Sequence, residues 1–271
     1  MKALKKRYVF ISTGLIWLVA MGILIHREYF PSQEEITTNY REILQGIREK
    51  KTSSMAIYYI PFNLKIGKIQ TSITPQTDGT FDIDTRTNLS FTVSNYLLLQ
   101  QIQQLLNIPK IKGKTFRATF FSNAHIGPDY ELKEISFRFT SNFLQLSYEG
   151  RVKSGKLFLA LTTKGKKIIH EMALPSGTVM GDAVGLLGKF PKLRVGRRFS
   201  MRWFDPITHS YRTVHCTVKE KKKCHWQGKE VVVYHLESKL GELTSFAWIT
   251  EEGEILQYRI LSFLLTRDDQ K

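Results

Sequence analysis

An alternation of apolar and polar side chains with a period of two runs through most of this chain from about Met55 onwards. It is clearest in Thr80–Val93, where apolar residues and threonines alternate with Asp82, Asp84 and other polar residues. Because successive side chains of a strand point to opposite faces, this pattern predicts a strand with one dry face and one wet face. Its 14 residues are more than a strand usually has, which favours a curved sheet or a barrel wall.

The same period recurs between short turns, so the sequence predicts ten or more antiparallel strands. We therefore expect a mainly β fold, with one large curved antiparallel sheet, half-barrel or barrel-like, and a few short helices. The predicted strands are Met55–Phe62, Lys65–Thr74, Thr80–Val93, Thr115–Asn123, Glu131–Thr140, Phe143–Val152, Lys156–Thr163, Lys166–Ala173, Arg198–Phe204, Thr213–Glu220, Glu230–Glu237, Leu243–Thr250 and Ile255–Leu264.

Ahead of the strands, Tyr8–Ile25 is an 18-residue stretch without a charged side chain. As a helix it would extend about 27 Å, enough for a transmembrane segment. The basic residues of positions 1–7 precede it, which predicts a cytoplasmic N-terminus and an extracytoplasmic domain from about residue 52. A cleaved signal peptide is the alternative, although Ala20-Met21-Gly22 is its only candidate site and apolar residues follow directly.

Three shorter segments break the alternation. Residues 26–51 contain a capping-box pattern at Ser32 and apolar side chains at helical spacing, which predicts an amphipathic stalk helix over Ser32–Lys50. Its stripe suits packing on its own domain or pairing with a partner. Tyr96–Ile108 predicts a second short helix, which Pro109 ends. The glycine-rich interval Pro175–Gly196 reads as a linker or lid, with a possible domain subdivision there.

Cys216 and Cys224, the two cysteines of the chain, are adjacent to His215 and His225. If Lys219–Lys223 formed the end of a hairpin, the cysteines would face each other and close a disulfide in an oxidising compartment. Unpaired thiols and a zinc site remain alternatives. Adjacent His and Cys side chains point to opposite strand faces, which disfavours zinc.

The chain has a formal net charge of +16, of which residues 52–271 carry +12. Such a surface attracts polyanions, and the predicted compartment favours anionic lipid or an acidic envelope ligand over nucleic acid. Solvated loops of a basic envelope protein are the plainer interpretation. The candidate anion contacts are Lys192, Arg194, Arg197, Arg198 and Arg202.

Catalytic signatures are missing from the sequence: it has no phosphate-binding glycine loop, no His-Glu-x-x-His and no Gly-x-Ser-x-Gly. We therefore predict a protein that is not an enzyme, with no catalytic residues, no metal and no cofactor. The alternative is a weakly marked hydrolase or metal protein that uses His215, Cys216, Cys224 and His225. The leading hypothesis is a module that binds a lipid-like or anionic envelope ligand at the bacterial inner membrane, and the alternative is a scaffold for another envelope protein. The residues expected to hold apolar groups are Phe81, Leu89, Phe91, Phe137 and Phe139.

Several short motifs add a resemblance. Met55–Thr74, Asp78–Leu89, Phe204-Asp205-Pro206-Ile207-Thr208, Ala247-Trp248 and Glu252–Leu256 resemble the non-catalytic β-region that precedes transglutaminase-like domains in some bacterial membrane proteins. The architecture is also similar to the half-barrel of periplasmic lipoprotein carriers, which implies an apolar concavity for acyl chains. Since the sequence ends at Lys271, where the Cys-His-Asp domain would begin, we expect no transglutaminase-like catalysis.

Overall fold

Strands that follow one another in the chain pair with each other in the computed structural model, which describes residues 36–92, 115–141, 145–163, 166–180, 193–205 and 210–268. Short turns join most of them, so pairing is antiparallel almost throughout. The strands are β1 (Ile36–Thr37), β2 (Lys51–Tyr59), β3 (Leu64–Pro75), β4 (Phe81–Thr92), β5 (Thr115–Ile126), β6 (Leu132–Ser141), β7 (Gln145–Lys153), β8 (Lys156–Thr163), β9 (Lys166–Ala173), β10 (Thr178–Met180), β11 (Arg198–Asp205), β12 (Ser210–Trp226), β13 (Lys229–Leu240), β14 (Leu243–Thr250), β15 (Ile255–Ile260) and β16 (Phe263–Arg267).

Two meanders make up the sheet. The first runs from β2 to β9 and the second from β11 to β16, and β16 pairs with β2 to join them. The short strand β10 pairs in parallel with β11 at the far edge of the second meander. The mainly β fold with one curved antiparallel sheet is therefore confirmed, and residues 37–271 form one unit.

The two edges of the sheet approach each other at one end. Only four residues separate Ala173, the last residue of β9, from Thr178, the first residue of β10. They span at most about 18 Å. The Ser176 hydroxyl also donates to the Glu131 carboxylate at 2.8 Å, which ties this connection to the β5–β6 turn. Because β16 pairs with β2, both meanders belong to one sheet. The start of the segment 175–196 therefore links the two edges of that sheet.

The predicted helix over Ser32–Lys50 is wrong within the described residues. Ile36–Thr37 is a strand, and the helix α1 covers only Tyr40–Leu44, with Asn39 as its N-cap. The apolar stripe nevertheless packs as expected, because Tyr40, Ile43, Leu44 and Ile47 are all buried in the core. The Tyr40 hydroxyl accepts a hydrogen bond from the Met180 amide at 2.9 Å, so the stripe packs on its own domain.

The predicted strand Ile255–Leu264 is also corrected, since a turn at Leu261–Ser262 divides it into β15 and β16. Leu261 takes a left-handed conformation, with φ of 51°, that a leucine rarely adopts. Glycine, proline and asparagine do not occur in this turn, so Ser262 is its one turn signal.

Several predictions fall outside the described residues. They are the basic residues 1–7, the transmembrane segment 8–25, the helix over 96–108 and Lys192. Within the part of the chain that the structure describes, no helix has both the length and the apolar character needed to cross a membrane.

Candidate ligand-binding site

One line of side chains crosses the inner face of the first meander from β2 to β9. We call it the inward row, because its members lie opposite one another on the face that forms the core. Its chemistry changes along its length from hydroxyls to aromatic rings to aliphatic side chains. The inward row consists of Ser53, Thr71, Thr85, Ser122, Phe137, Tyr148, Leu161 and Ile168.

The hydroxyl part of the inward row is buried and only partly satisfied. Thr71 and Thr85 share a hydrogen bond of 3.2 Å between their side-chain oxygens. Ser122, one strand further on, is 1% exposed, and its hydroxyl has no partner among the described residues. A buried polar group without a partner costs about 1–3 kcal/mol, so Ser122 is a group that a ligand oxygen would satisfy.

Aromatic rings occupy the middle of the inward row. The Phe137 and Tyr148 rings lie 5.9 Å apart, and Phe120 contacts both Phe137 and Phe139 at centroid distances of 6.2 and 4.6 Å. These separations are typical of favourable aromatic pairs. Phe137 and Phe139, two of the predicted ligand contacts, therefore belong to a packed aromatic cluster beside Ser122.

The other three predicted ligand contacts lie further from the sheet edge. Phe81 and Phe91 are buried on the inner face of β4, and Leu89 is partly buried against the same core. Phe91 packs on Phe116 at 5.1 Å. All five predicted residues thus share one apolar face as the alternation implied, and their role as ligand contacts stays a prediction.

The last part of the inward row opens to solvent. Leu161 is half-buried, and Ile168 on β9 is 45% exposed although it faces the same way as buried Tyr148. Ile169, the next residue, is 67% exposed on the opposite face. Among the described strands β9 pairs only with β8, so the apolar interior reaches solvent along this edge of the sheet.

A corresponding row in the second meander is closed. Cys216 lies opposite Phe199 and Ser238, and its sulfur is 3.3 Å from the Ser238 hydroxyl. Burial raises the pKa of the Cys216 thiol to about 11, with the Ser238 hydrogen bond acting in the other direction. Burial also raises the pKa of Tyr258, whose hydroxyl bonds with the Ser245 side chain. Each of these inward polar groups has a protein partner.

The predicted disulfide between Cys216 and Cys224 is wrong. Lys219–Lys223 is not a turn but the interior of the 17-residue strand β12, which turns only after Trp226. The cysteines lie eight residues apart on this strand, about 26 Å at 3.3 Å per residue, and both are free. Disulfide geometry needs Cα atoms within about 7 Å.

The same strand separates His215 and Cys216 from Cys224 and His225, so the four side chains do not converge on a metal. No group of three or more His, Cys, Asp or Glu side chains suited to a metal ion occurs among the described residues.

The predicted anion contacts divide between a turn and a strand. Arg194 and Arg197 lie at the tight turn before β11, where the Arg197 amide donates to the Arg194 carbonyl at 3.0 Å, and Arg198 is the first residue of β11. Arg202 lies further along β11, and its guanidinium donates to the Ser176 carbonyl at 3.0 Å. Arg202 therefore fastens the connection between the sheet edges, while exposed Arg194 and Arg198 keep the anion contact as a prediction.

Ser122, Leu161 and Ile168 were missed at the sequence level. The alternation alone places Ile168 on one face of its strand and Ile169 on the other. It does not show which of the two faces is inward. That choice depends on pairing with β8 and on where the sheet ends, and both are properties of the assembled sheet.

Comparison with known proteins gives a limited result. No family model matches the sequence, and no curated protein matches it. A solved β-barrel-like protein of the domain of unknown function DUF1849 from Brucella abortus is similar over 81% of this chain and 95% of that chain, with 8% identity and a TM-score of 0.49. A DUF1089 family protein from Pseudomonas aeruginosa is similar over 70% of this chain and 89% of that chain, with 10% identity and a TM-score of 0.34. Both likenesses concern strand architecture alone.

Proposed function

We propose that this protein is a non-enzymatic binding module of the bacterial envelope whose inward row takes a lipid-like ligand. The observation that carries the proposal is Ile168, an inward side chain that is 45% exposed on β9, the last strand of the sheet in the described part of the chain. An apolar residue in that position leaves interior surface open to a ligand from the side of the sheet, and covering it would be favourable.

The arrangement of the inward row suits an acyl chain with a polar group. From Ser122 to Ile168 the row crosses four strand spacings, about 19 Å. An acyl chain would lie along Ile168, Leu161 and the Tyr148 ring. An ester, carbonyl or hydroxyl oxygen at its inner end would accept a hydrogen bond from Ser122, which lacks a partner among the described residues.

The setting of the proposed module is the inner membrane, with residues 8–25 as its anchor and Arg194 and Arg198 facing anionic headgroups. Support comes from the charge asymmetry around the anchor and the +12 charge of residues 52–271. The resemblances to lipoprotein carriers and to the β-region that precedes transglutaminase-like domains suggest the same envelope setting, at the level of fold.

Photocrosslinking with an acyl-chain lipid tests the proposal on the full chain in vesicles. We expect the photoactivatable tail to label the peptides that contain Tyr148, Leu161 and Ile168. Ile168→Asp should abolish this labelling because a carboxylate in the inward row repels an apolar tail. Ile169→Asp is the matched control, since the adjacent side chain points to the opposite face. Equal labelling of both variants would contradict the proposal.

A second candidate function is scaffolding, and the free edge of β9 favours it. A strand that pairs on one side alone among the described strands, with an outward isoleucine that is 67% exposed, is a template for pairing with a strand of another protein. Crosslinking in membranes separates the two functions. A scaffold should give one dominant protein adduct that Ile169→Asp weakens, whereas a lipid-binding module should lose its lipid adduct only in Ile168→Asp.

A further inference from the structure

Two neighbouring turns expose an unusual amount of apolar surface at one end of the sheet. The first joins β2 to β3 and the second joins β15 to β16; we call them together the apolar turn pair. The apolar turn pair contains four large apolar side chains that are each more than one-third exposed. They are Ile60 at 37%, Phe62 at 59%, Leu64 at 43% and Leu261 at 46%.

The two turns form a single surface because β16 pairs with β2. The Ile60 amide donates to the Ser262 carbonyl at 2.8 Å, which joins the turns directly. The Phe62 ring stacks on buried Tyr59 with centroids 5.8 Å apart, and Tyr59 packs in turn on Phe263 at 5.7 Å. The exposed phenylalanine is thus held from below by the core.

Backbone geometry fixes the first turn. Pro61 lies in a 3-10 helix over Ile60–Phe62, and Asn63 ends it in a left-handed conformation with φ of 46°. Proline presets its own φ and asparagine tolerates this region better than most residues. The turn therefore presents Phe62 and Leu64 to solvent from a preset backbone, at a low cost in conformational entropy on binding.

The charges of the two hairpins are of one sign. Neither Lys51–Pro75 nor Ile255–Arg267 contains an aspartate or glutamate. Lys65 and Lys68 share the Asp268 carboxylate, each at 3.6 Å, which leaves one positive charge in excess there. Arg259 is exposed and has no ion-pair partner among the described residues. Apolar tips flanked by cations match the interface of an anionic bilayer.

We propose that the apolar turn pair docks onto the surface of an anionic lipid bilayer, with Phe62, Leu64 and Leu261 entering the headgroup boundary. Arg259 and Lys65 contact the lipid phosphates beside them. This surface is separate from the inward row and goes beyond the proposed binding function. It gives the domain a second membrane contact, made by turns of the folded sheet.

Depth-dependent quenching tests the docking on the full chain. A fluorophore is placed on Phe62→Cys in a Cys224→Ser background, which leaves only buried Cys216 as a native thiol. The protein is reconstituted in vesicles of phosphatidylethanolamine and phosphatidylglycerol. In the first arrangement these vesicles contain brominated lipid, and in the second the brominated lipid is in added protein-free vesicles. We expect loss of fluorescence in at least one of these two arrangements.

The control is the same fluorophore on Thr77→Cys, in the turn at the other end of β3, about 40 Å away along the 12-residue strand. It should stay unquenched. The double variant Arg259→Gln with Lys65→Gln should reduce quenching at position 62 in anionic vesicles. In phosphatidylcholine vesicles the variant and the parent protein should show the same quenching. Absence of quenching at position 62 in both arrangements would overturn the docking. So would a fluorescence change that depends on protein concentration alone, since a second copy would then cover the turns.

This experiment is independent of the photocrosslinking described above. Failure of lipid labelling at Leu161 and Ile168 with preserved quenching at position 62 would sink the inward-row proposal alone. The reverse result would sink the docking alone.

Discussion

The inward row of the first meander and the row through Cys216 in the second place hydroxyl groups on the same inner face but treat them differently. In the second meander, Cys216 bonds with Ser238, and Ser245 bonds with Tyr258. In the first, Thr71 and Thr85 bond with each other while Ser122 has no partner among the described residues. The second row ends on Phe199 at 1% exposure, whereas the first ends on Ile168 at 45%.

This difference separates a structural interior from a candidate site. A row in which every polar group is paired and both ends are covered contributes stability. A row with an unpaired hydroxyl in its middle and open apolar surface at one end is less stable alone and gains more from a ligand. The first meander is therefore where we look for function, and the second is where we expect the larger mutational costs.

The largest expected effect is the loss of a ring from the closed row. Phe199→Ala should lower the free energy of unfolding by about 3–5 kcal/mol, because the side chain is almost fully buried and leaves a cavity. Chemical denaturation measures this. The matched control is Phe158→Ala in the first meander, where a ring that is 37% exposed should cost less than about 1.5 kcal/mol. Similar costs for both would break the comparison.

The second-largest expected effect is a loss of stability at alkaline pH, which comes from the closed row. Below pH 9 the Cys216 thiol is neutral in the folded and unfolded states, so its contribution is fully present. As the pH rises from 9.0 towards about 11 the unfolded thiol ionises first, and the free energy of unfolding falls. The loss is on the order of 2–3 kcal/mol. Raised pKa values of buried Tyr258 and Tyr211 act in the same direction.

In Cys216→Ala, the free energy of unfolding should therefore fall less steeply across this pH range. Unfolding curves recorded at several pH values measure it. The matched variant Cys224→Ala should keep the full decline, because Cys224 is partly exposed at the outer part of β12. If the two variants lose stability alike above pH 9, burial of Cys216 does not explain the decline.

The smallest effect compares one hydroxyl from each row. Ser245→Ala should cost about 1–3 kcal/mol, because it leaves the buried Tyr258 hydroxyl without its partner. Ser122→Ala removes a group that is already unpaired, so we expect a neutral or slightly stabilising change. Thermal unfolding of lipid-free protein measures both. A destabilised Ser122→Ala protein would show that the hydroxyl has a structural partner and would weaken its assignment as a ligand contact.

Much of the fold follows from local sequence. Alternation predicts 13 strands, and three of them, Lys156–Thr163, Lys166–Ala173 and Leu243–Thr250, have the predicted bounds. The wrong predictions share a cause: local signals do not show how strands pair in the assembled sheet. Lys219–Lys223 has the composition of a charged hairpin end, but a long strand that is exposed on both faces in this stretch accepts such a run as well. The Leu261 turn carries a weak signal, a single serine, and pairing of β16 with β2 holds it in place.

Alternation along the chain is sufficient to predict the β class and the shared apolar face of Phe81, Phe91, Phe137 and Phe139. Side-chain direction along a strand is a local property of the backbone, and one chain segment suffices to show it. Three other facts require the assembled sheet: Ser122 has no partner among the described residues, Ile168 is inward yet exposed, and Cys216 and Cys224 stay apart. Those facts depend on which strands are neighbours and where the sheet ends, and residues far apart in the chain settle both.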